Sequence, residues 1–83
     1  MPRRAVQVEC YAGGRADERP RRVRAGTREY WVAQLLSTSV EESFTTRAQV
    51  RYYRVLTEDG WILDLTCASD GQWTLERKRR MVG

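Results

Sequence analysis

The run Arg51-Tyr52-Tyr53-Arg54 alternates guanidinium groups with aromatic rings. Rings of this kind stack on nucleobases, and guanidinium groups neutralise phosphates, so the pattern has the chemistry of a nucleic-acid contact. It also satisfies a strand, with Tyr53 and Val55 turned inward and Tyr52 and Arg54 turned to water. Arg51, Tyr52 and Arg54 are therefore candidate contacts. A second group gathers in Arg19, Arg21, Arg22 and Arg24, where a strand would send Arg22 and Arg24 to one side. This group reads either as a phosphate-binding patch or as an edge strand guarded by charge against further pairing. Arg19, Arg22 and Arg24 join the candidates. Trp31 is out of phase with Tyr30 and Val32. If those two face a core, Trp31 faces solvent, as a binding anchor or as a cap on an open barrel end. Trp61 and Trp73 share phase with Leu63 and Leu75, which suits core packing.

Other chemistry is sparse. The chain has no histidine, the commonest general base, so Ser-His-Asp and Cys-His nucleophiles are excluded within it. Cys10 and Cys67 are too few for a disulfide framework or a four-ligand zinc site, and both fall at apolar positions, where a free thiol packs like a small hydrophobe. Glu9 and Asp64 are too isolated to form a carboxylate pair. Gly13-Gly14 lacks the spacing and helix context of a phosphate loop. The expectation is a non-enzymatic protein without cofactor, metal or an evident small-molecule substrate.

The chain of 83 residues is one domain at most, with 41% hydrophobic and 31% charged residues, a globular mix. No run approaches the roughly 20 apolar residues of a membrane span, and no apolar signal segment follows Met1-Pro2-Arg3-Arg4. A cytoplasmic location without a membrane partner is expected. The net charge of +4 is unevenly placed. Arginines dominate residues 1–28, acids dominate residues 29–76, and Arg77-Lys78-Arg79-Arg80 restores positive charge at the end. Lys78 is the one lysine. The arginine excess is compatible with bidentate phosphate binding and equally with a GC-rich genome.

These residues need strands to position them. Val6, Val8 and Cys10 alternate with polar residues, and Gly13-Gly14 ends that strand. Residues 15–19 read as a polar loop closed by Pro20. Residues 21–24 form a short charged strand with Val23 inward, and Ala25-Gly26-Thr27 turns the chain. Residues 28–36 form a strand whose phase breaks at Leu35 and Leu36, the signature of a β-bulge. Residues 37–49 read as a long loop with one helical turn from Val40 to Phe44. Residues 50–57 are the clearest strand, Glu58-Asp59-Gly60 is a hairpin turn, and Trp61 to Cys67 alternates again. Ala68-Ser69-Asp70-Gly71 turns into a last strand through Trp73 and Leu75. The expected organisation is a disordered basic N-terminus at 1–5, one β domain at 6–76 and a flexible basic tail at 77–83. The expected fold is all-β: a small antiparallel SH3-like barrel or strongly bent sheet of five to six strands.

With these elements in place, a resemblance emerges. Val6-Gln7-Val8-Glu9-Cys10-Tyr11-Ala12-Gly13, then Arg15 and Asp17-Glu18-Arg19-Pro20, resembles the opening of a family of short bacterial proteins of unknown function. Tyr52-Tyr53-Arg54-Val55, Asp59-Gly60 and Trp73-Thr74-Leu75 are similar to its second half. That resemblance covers roughly residues 6–76 and carries no catalytic residues. The segment from Arg51 to Trp61 is also similar to the C-terminal part of some bacterial Y-family translesion polymerase homologues, which implies a nucleic-acid-processing setting. Two functions are expected from all this. One is a binding module for nucleic acid or a nucleic-acid-processing complex such as a DNA-processing protein. The other is an SH3-like protein–protein adaptor using Trp31, Tyr52 and residues 37–49.

Overall fold

The computed structural model describes residues 3–11, 19–42, 44–45 and 48–81. Alternating β-branched and aromatic residues form six strands: β1 (Arg4–Cys10), β2 (Pro20–Ala25), β3 (Arg28–Glu42), β4 (Gln49–Thr57), β5 (Trp61–Ala68) and β6 (Trp73–Arg80). They close into a barrel in sequence order, every neighbouring pair antiparallel. The all-β expectation therefore holds, and the meander is consistent with a small SH3-like barrel. No helix in the described residues is long and apolar enough to cross a membrane.

Tight turns make the closure possible. Ala25 pairs with Arg28 across Gly26-Thr27, a two-residue hairpin loop whose Gly26 has φ of 64°. Such loops require positive φ, which glycine adopts without steric penalty. A Cβ at Gly26 would also stand 3.0 Å from Arg4 Nη2. Gly60, with φ of 91°, closes the three-residue loop between β4 and β5. There Trp61 N donates to Thr57 Oγ1 at 2.8 Å.

Two strands change partners along their length. The first half of β1 pairs with β6 and the second half with β2. The first part of β3 pairs with β2, through Arg22↔Trp31, and the rest pairs with β4. Register shifts around Ala33 and Leu36 mark the bend, where the broken phase of Leu35 and Leu36 announced a bulge.

The core follows strand parity. Val23, Val55, Leu63 and Leu65 are completely enclosed, and Val6, Ala25, Tyr30, Tyr53, Trp73 and Leu75 complete the buried set. The Tyr53 and Trp73 rings meet with centroids 5.2 Å apart, tilted by 40°, a geometry that adds to their burial. Val8, Cys10, Val32, Leu35, Trp61 and Cys67 pack half-buried against this centre.

Four expectations need correction. Residues 37–42 are not part of a loop: β3 runs to Glu42, and Val40 lies opposite Arg51 in a regular ladder. The strand was illegible because residues 37–42 are exposed on both faces, which removes any alternation of apolar and polar types. Residues 77–80 are not a frayed tail. They belong to β6 and pair from Asp64↔Arg77 to Trp61↔Arg80. The side chains of Lys78 and Arg80 lie over aromatic rings, so this part of the strand survives without apolar residues of its own. Within the basic N-terminus, Arg4 and Ala5 already belong to β1. Finally, β2 is not an edge, since it pairs with both β1 and β3. The readings of Gly13-Gly14 and of the polar run 15–18 lie outside the described residues, as do Met1, Pro2, Ser43, Thr46, Arg47, Val82 and Gly83.

Candidate functional site

The up-and-down path places the start of β1, the β2–β3 turn, the β4–β5 turn and the end of β6 at one end of the barrel. At this end the inward-facing layer changes character. Tyr30 is buried, but its hydroxyl reaches the mouth and accepts a hydrogen bond from Lys78 Nζ at 3.2 Å. A slip at Glu76, the residue passed over between Leu65↔Leu75 and Asp64↔Arg77, turns Lys78 inward, opposite enclosed Leu63. The lysine stem covers the core while its ammonium group stays at the rim.

Other cations surround the same rings. Lys78 Nζ lies 4.7 Å from the centre of the Trp61 ring, and the Arg80 guanidinium lies 4.9 Å from it. Arg28 stands 5.3 Å from the Tyr30 ring. Each contact of this kind contributes about 0.5–1 kcal/mol at an exposed site. Among the described residues, no ion pair engages Arg28, Lys78 or Arg80. Glu58 and Asp59 lie in the neighbouring turn, where the Asp59 carboxylate accepts from Thr57 Oγ1 at 2.5 Å. The mouth therefore presents positive charges beside the half-buried Trp61 ring without a bound carboxylate to neutralise them.

The residues singled out from the sequence divide between two other surfaces. Arg22, Arg24 and Trp31 share the outer face of β1, β2 and the first part of β3. Trp31 is exposed, as its phase required, at 41%. The guanidinium groups of Arg21 and Arg22 lie 5.7 and 5.2 Å from its ring, and Arg21 also approaches Tyr11 at 5.8 Å. Arg22 and Arg24 do point to one side, but both are engaged. Arg22 is 3.3 Å from Glu9 and 3.7 Å from Glu29, and Arg24 is 2.8 Å from Glu29. Arg19 is exposed, with its carbonyl accepting the Tyr11 amide at 3.1 Å.

Tyr52 and Arg54 lie on the outer face of β3, β4 and β5. They border a shallow groove of about 850 Å³ with Ser37, Glu41, Asp64 and Glu76. Arg54 donates twice to Asp64, Nε to Oδ1 at 2.7 Å and Nη2 to Oδ2 at 3.3 Å. That bond and the carboxylate charge hold the guanidinium pKa above its ordinary value. Tyr52 donates to Glu41 Oε1 at 3.1 Å. The hydrogen bond, followed by the Glu41 charge, raises the phenol pKa. Arg51 does not share this face. It has the phase of Tyr53, opposite Val40 and Cys67. The run Arg51-Tyr52-Tyr53-Arg54 is thus split three ways, between the core, an exterior face and the far rim.

Sequence reasoning missed Arg28, Tyr30, Trp61, Lys78 and Arg80 as a group. The available signal was the period of the basic run itself: extended chain would place Lys78 and Arg80 on one side. Among the described residues, no three histidine, cysteine or carboxylate side chains gather in a metal-ligand cluster. In comparisons with known proteins, no family model, curated protein or solved structure matches the chain.

Proposed function

We propose that this protein is a non-enzymatic binding module for nucleic acid, acting alone or within a nucleic-acid-processing complex, and that the cationic barrel end is its contact surface. The observation that supports this is the grouping of Arg28, Lys78 and Arg80 around Tyr30 and Trp61 without a carboxylate partner. A cation already paired to a carboxylate must lose that partner before it meets a phosphate, as Arg22, Arg24 and Arg54 would. The three end cations exchange only mobile counterions, and releasing those drives phosphate binding. Trp61 adds a half-buried ring on which an unpaired base can stack once Arg80 swings away. Single strands, whose bases are free to stack, suit this surface better than duplex.

Fluorescence anisotropy with single- and double-stranded DNA and RNA over a salt series tests the proposal. Three phosphate contacts give a slope of log affinity against log salt near −2 for single strands, about −0.7 per contact. Absence of binding at low salt would rule the reading out. The adaptor alternative keeps Trp31, with its exposed ring beside Tyr11. It loses support for a shared aromatic groove, because Trp31 lies on the outer face of β2 and early β3 and Tyr52 on that of β3, β4 and β5. Salt-insensitive capture of a protein partner that Trp31→Ala abolishes would favour it.

A further inference from the structure

The grouping of an indole ring with cations at the barrel end has a counterpart on the outer face of β2 and β3. The β1–β2 register passes over Arg21 between Glu9↔Arg22 and Cys10↔Pro20. A bulge re-aims the side chain it carries. Here Arg21 and its neighbour Arg22 both reach the Trp31 ring, at 5.7 and 5.2 Å. Arg21 also lies 5.8 Å from the centre of the Tyr11 ring. Trp31 is 41% exposed and Tyr11 53%, so ring surface stays open to water beside the guanidinium. Tyr11 further borders a shallow cleft of about 590 Å³ with Arg19, Val32, Ala33 and Leu35. Charge sets this group apart from its surroundings. On β1, β2 and residues 28–32 of β3 the acids are Glu9 and Glu29. Both are engaged, Glu9 by Arg22 and Glu29 by Arg22 and Arg24. Among the described residues no ion pair engages Arg19 or Arg21.

We propose that Trp31 and Arg21, with Tyr11 holding the guanidinium beside the indole, form a second contact for the same single strand. One base stacks on Trp31 while Arg21 takes the adjoining phosphate. This second contact rests on the reading of the barrel end as a nucleic-acid surface and extends it along β3. The occupant follows from the chemistry. An open ring beside an unpaired guanidinium matches a base beside its phosphate, the two parts that every nucleotide repeats. An acidic peptide would satisfy Arg21 and leave the ring without a stacking partner. The spacing suits one strand. Trp31 lies three residues beyond Arg28 on β3, about 10 Å of extended chain. Stacked nucleic acid carries one charge per ~3.4 Å of strand, so about three nucleotides bridge the two contacts. The barrel end gathers three unpaired cations and the Trp31 face fewer, so short strands fill the end first.

NMR titration of the whole labelled chain with two oligothymidylates at low salt separates the contacts, read at the Trp31 and Trp61 indole N–H groups. A dinucleotide is too short to span both. A strand of about twelve nucleotides lies within the roughly 4–16 that a small single-strand-binding barrel occupies. The dinucleotide should shift the Trp61 indole and leave the Trp31 indole in place, whereas the long strand should shift both. Arg21→Ala combined with Trp31→Ala, its fold checked by circular dichroism, should weaken the long strand about tenfold. In that variant the dinucleotide should shift Trp61 as in wild type. Arg21→Ala alone should flatten the long strand's slope of log affinity against log salt by about 0.7, one phosphate contact. A Trp31 indole unmoved by the long strand, or a double variant that binds it as wild type, would overturn the second contact and leave the barrel end standing. Failure of both strands to bind would overturn the proposed function and this contact with it. A Trp31 indole that moves with an acidic peptide and not with the long strand would overturn it in favour of a protein partner.

Discussion

The two ends of the barrel solve the same problem in opposite ways. A six-stranded barrel of this size has two mouths where the core meets water. At the end holding the β2–β3 and β4–β5 turns, a hydrogen bond from Lys78 to Tyr30 and the cations over Trp61 close the mouth with charge. At the other end, half-buried Cys10, Leu35 and Cys67 adjoin the exposed chain of β3, with Leu36, Val40 and Phe44 open to water. Closure by cations leaves a surface fit for anions. At the other end apolar side chains of β3 stay open to water, with no cations gathered over them among the described residues. The partition teaches that positive charge in this chain is not one patch. Arg22, Arg24 and Arg54 on the outer faces hold carboxylates on neighbouring strands, whereas Arg28, Lys78 and Arg80 at the first mouth hold none.

The most severe way to break this contrast is to remove Tyr30. Tyr30→Ala should destabilise the fold by about 3–5 kcal/mol in urea unfolding, because a buried ring leaves a cavity that the strands cannot collapse to fill. Val40→Ala at the other mouth should leave stability near wild type, since most of that side chain is already in water. An unchanged Tyr30→Ala would mean that the ring does not seal the core.

Charge removal sharpens the contrast next. Arg28→Ala, Lys78→Ala and Arg80→Ala together should lower single-strand affinity about tenfold or more at low salt and flatten the salt slope by about 2. Anisotropy titrations should show Arg54→Ala binding as wild type, because Arg54 already holds Asp64. Equal losses from both variants would erase the distinction between paired and unpaired cations.

A smaller effect isolates the mouth's hydrogen bond. Tyr30→Phe keeps the ring and deletes the acceptor for Lys78, so stability should fall by about 0.5–1.5 kcal/mol by denaturant titration. The smallest effect lies on the outer face of β4. The Tyr52 pKa is raised by its bond to Glu41, so the stability that bond supplies is present below the ordinary phenol value. It is lost as pH rises through the raised value. Ultraviolet titration of the phenolate should place Tyr52 above an ordinary tyrosine, and Glu41→Gln should bring it down.

Much of the fold was legible because period-two alternation survives wherever one face is buried. Val6, Val23, Tyr30, Tyr53, Val55, Leu63 and Leu75 are inward as their phase required, Trp31 is outward, and the bulge fell where Leu35 and Leu36 broke step. Legibility failed where burial no longer disciplined the pattern. Residues 37–42 have water on both faces, and residues 77–80 form a strand in which Lys78 and Arg80 lie over rings on other strands. The candidate site failed for the same reason. Arg51 is adjacent in sequence to Tyr52 and parted by the pleat from the face Tyr52 shares with Arg54, while Arg28, Trp61 and Lys78 are distant in sequence and joined by barrel closure.

The most direct measurement is an NMR titration of the labelled chain with a short single-stranded oligonucleotide at low salt. The amides of Arg28, Tyr30, Trp61, Lys78 and Arg80, together with the Trp61 indole N–H, should shift first and return as salt is added. Shifts confined to Trp31 and its flanking arginines, or no shift at all, would contradict the assignment of binding to the cationic end of the barrel.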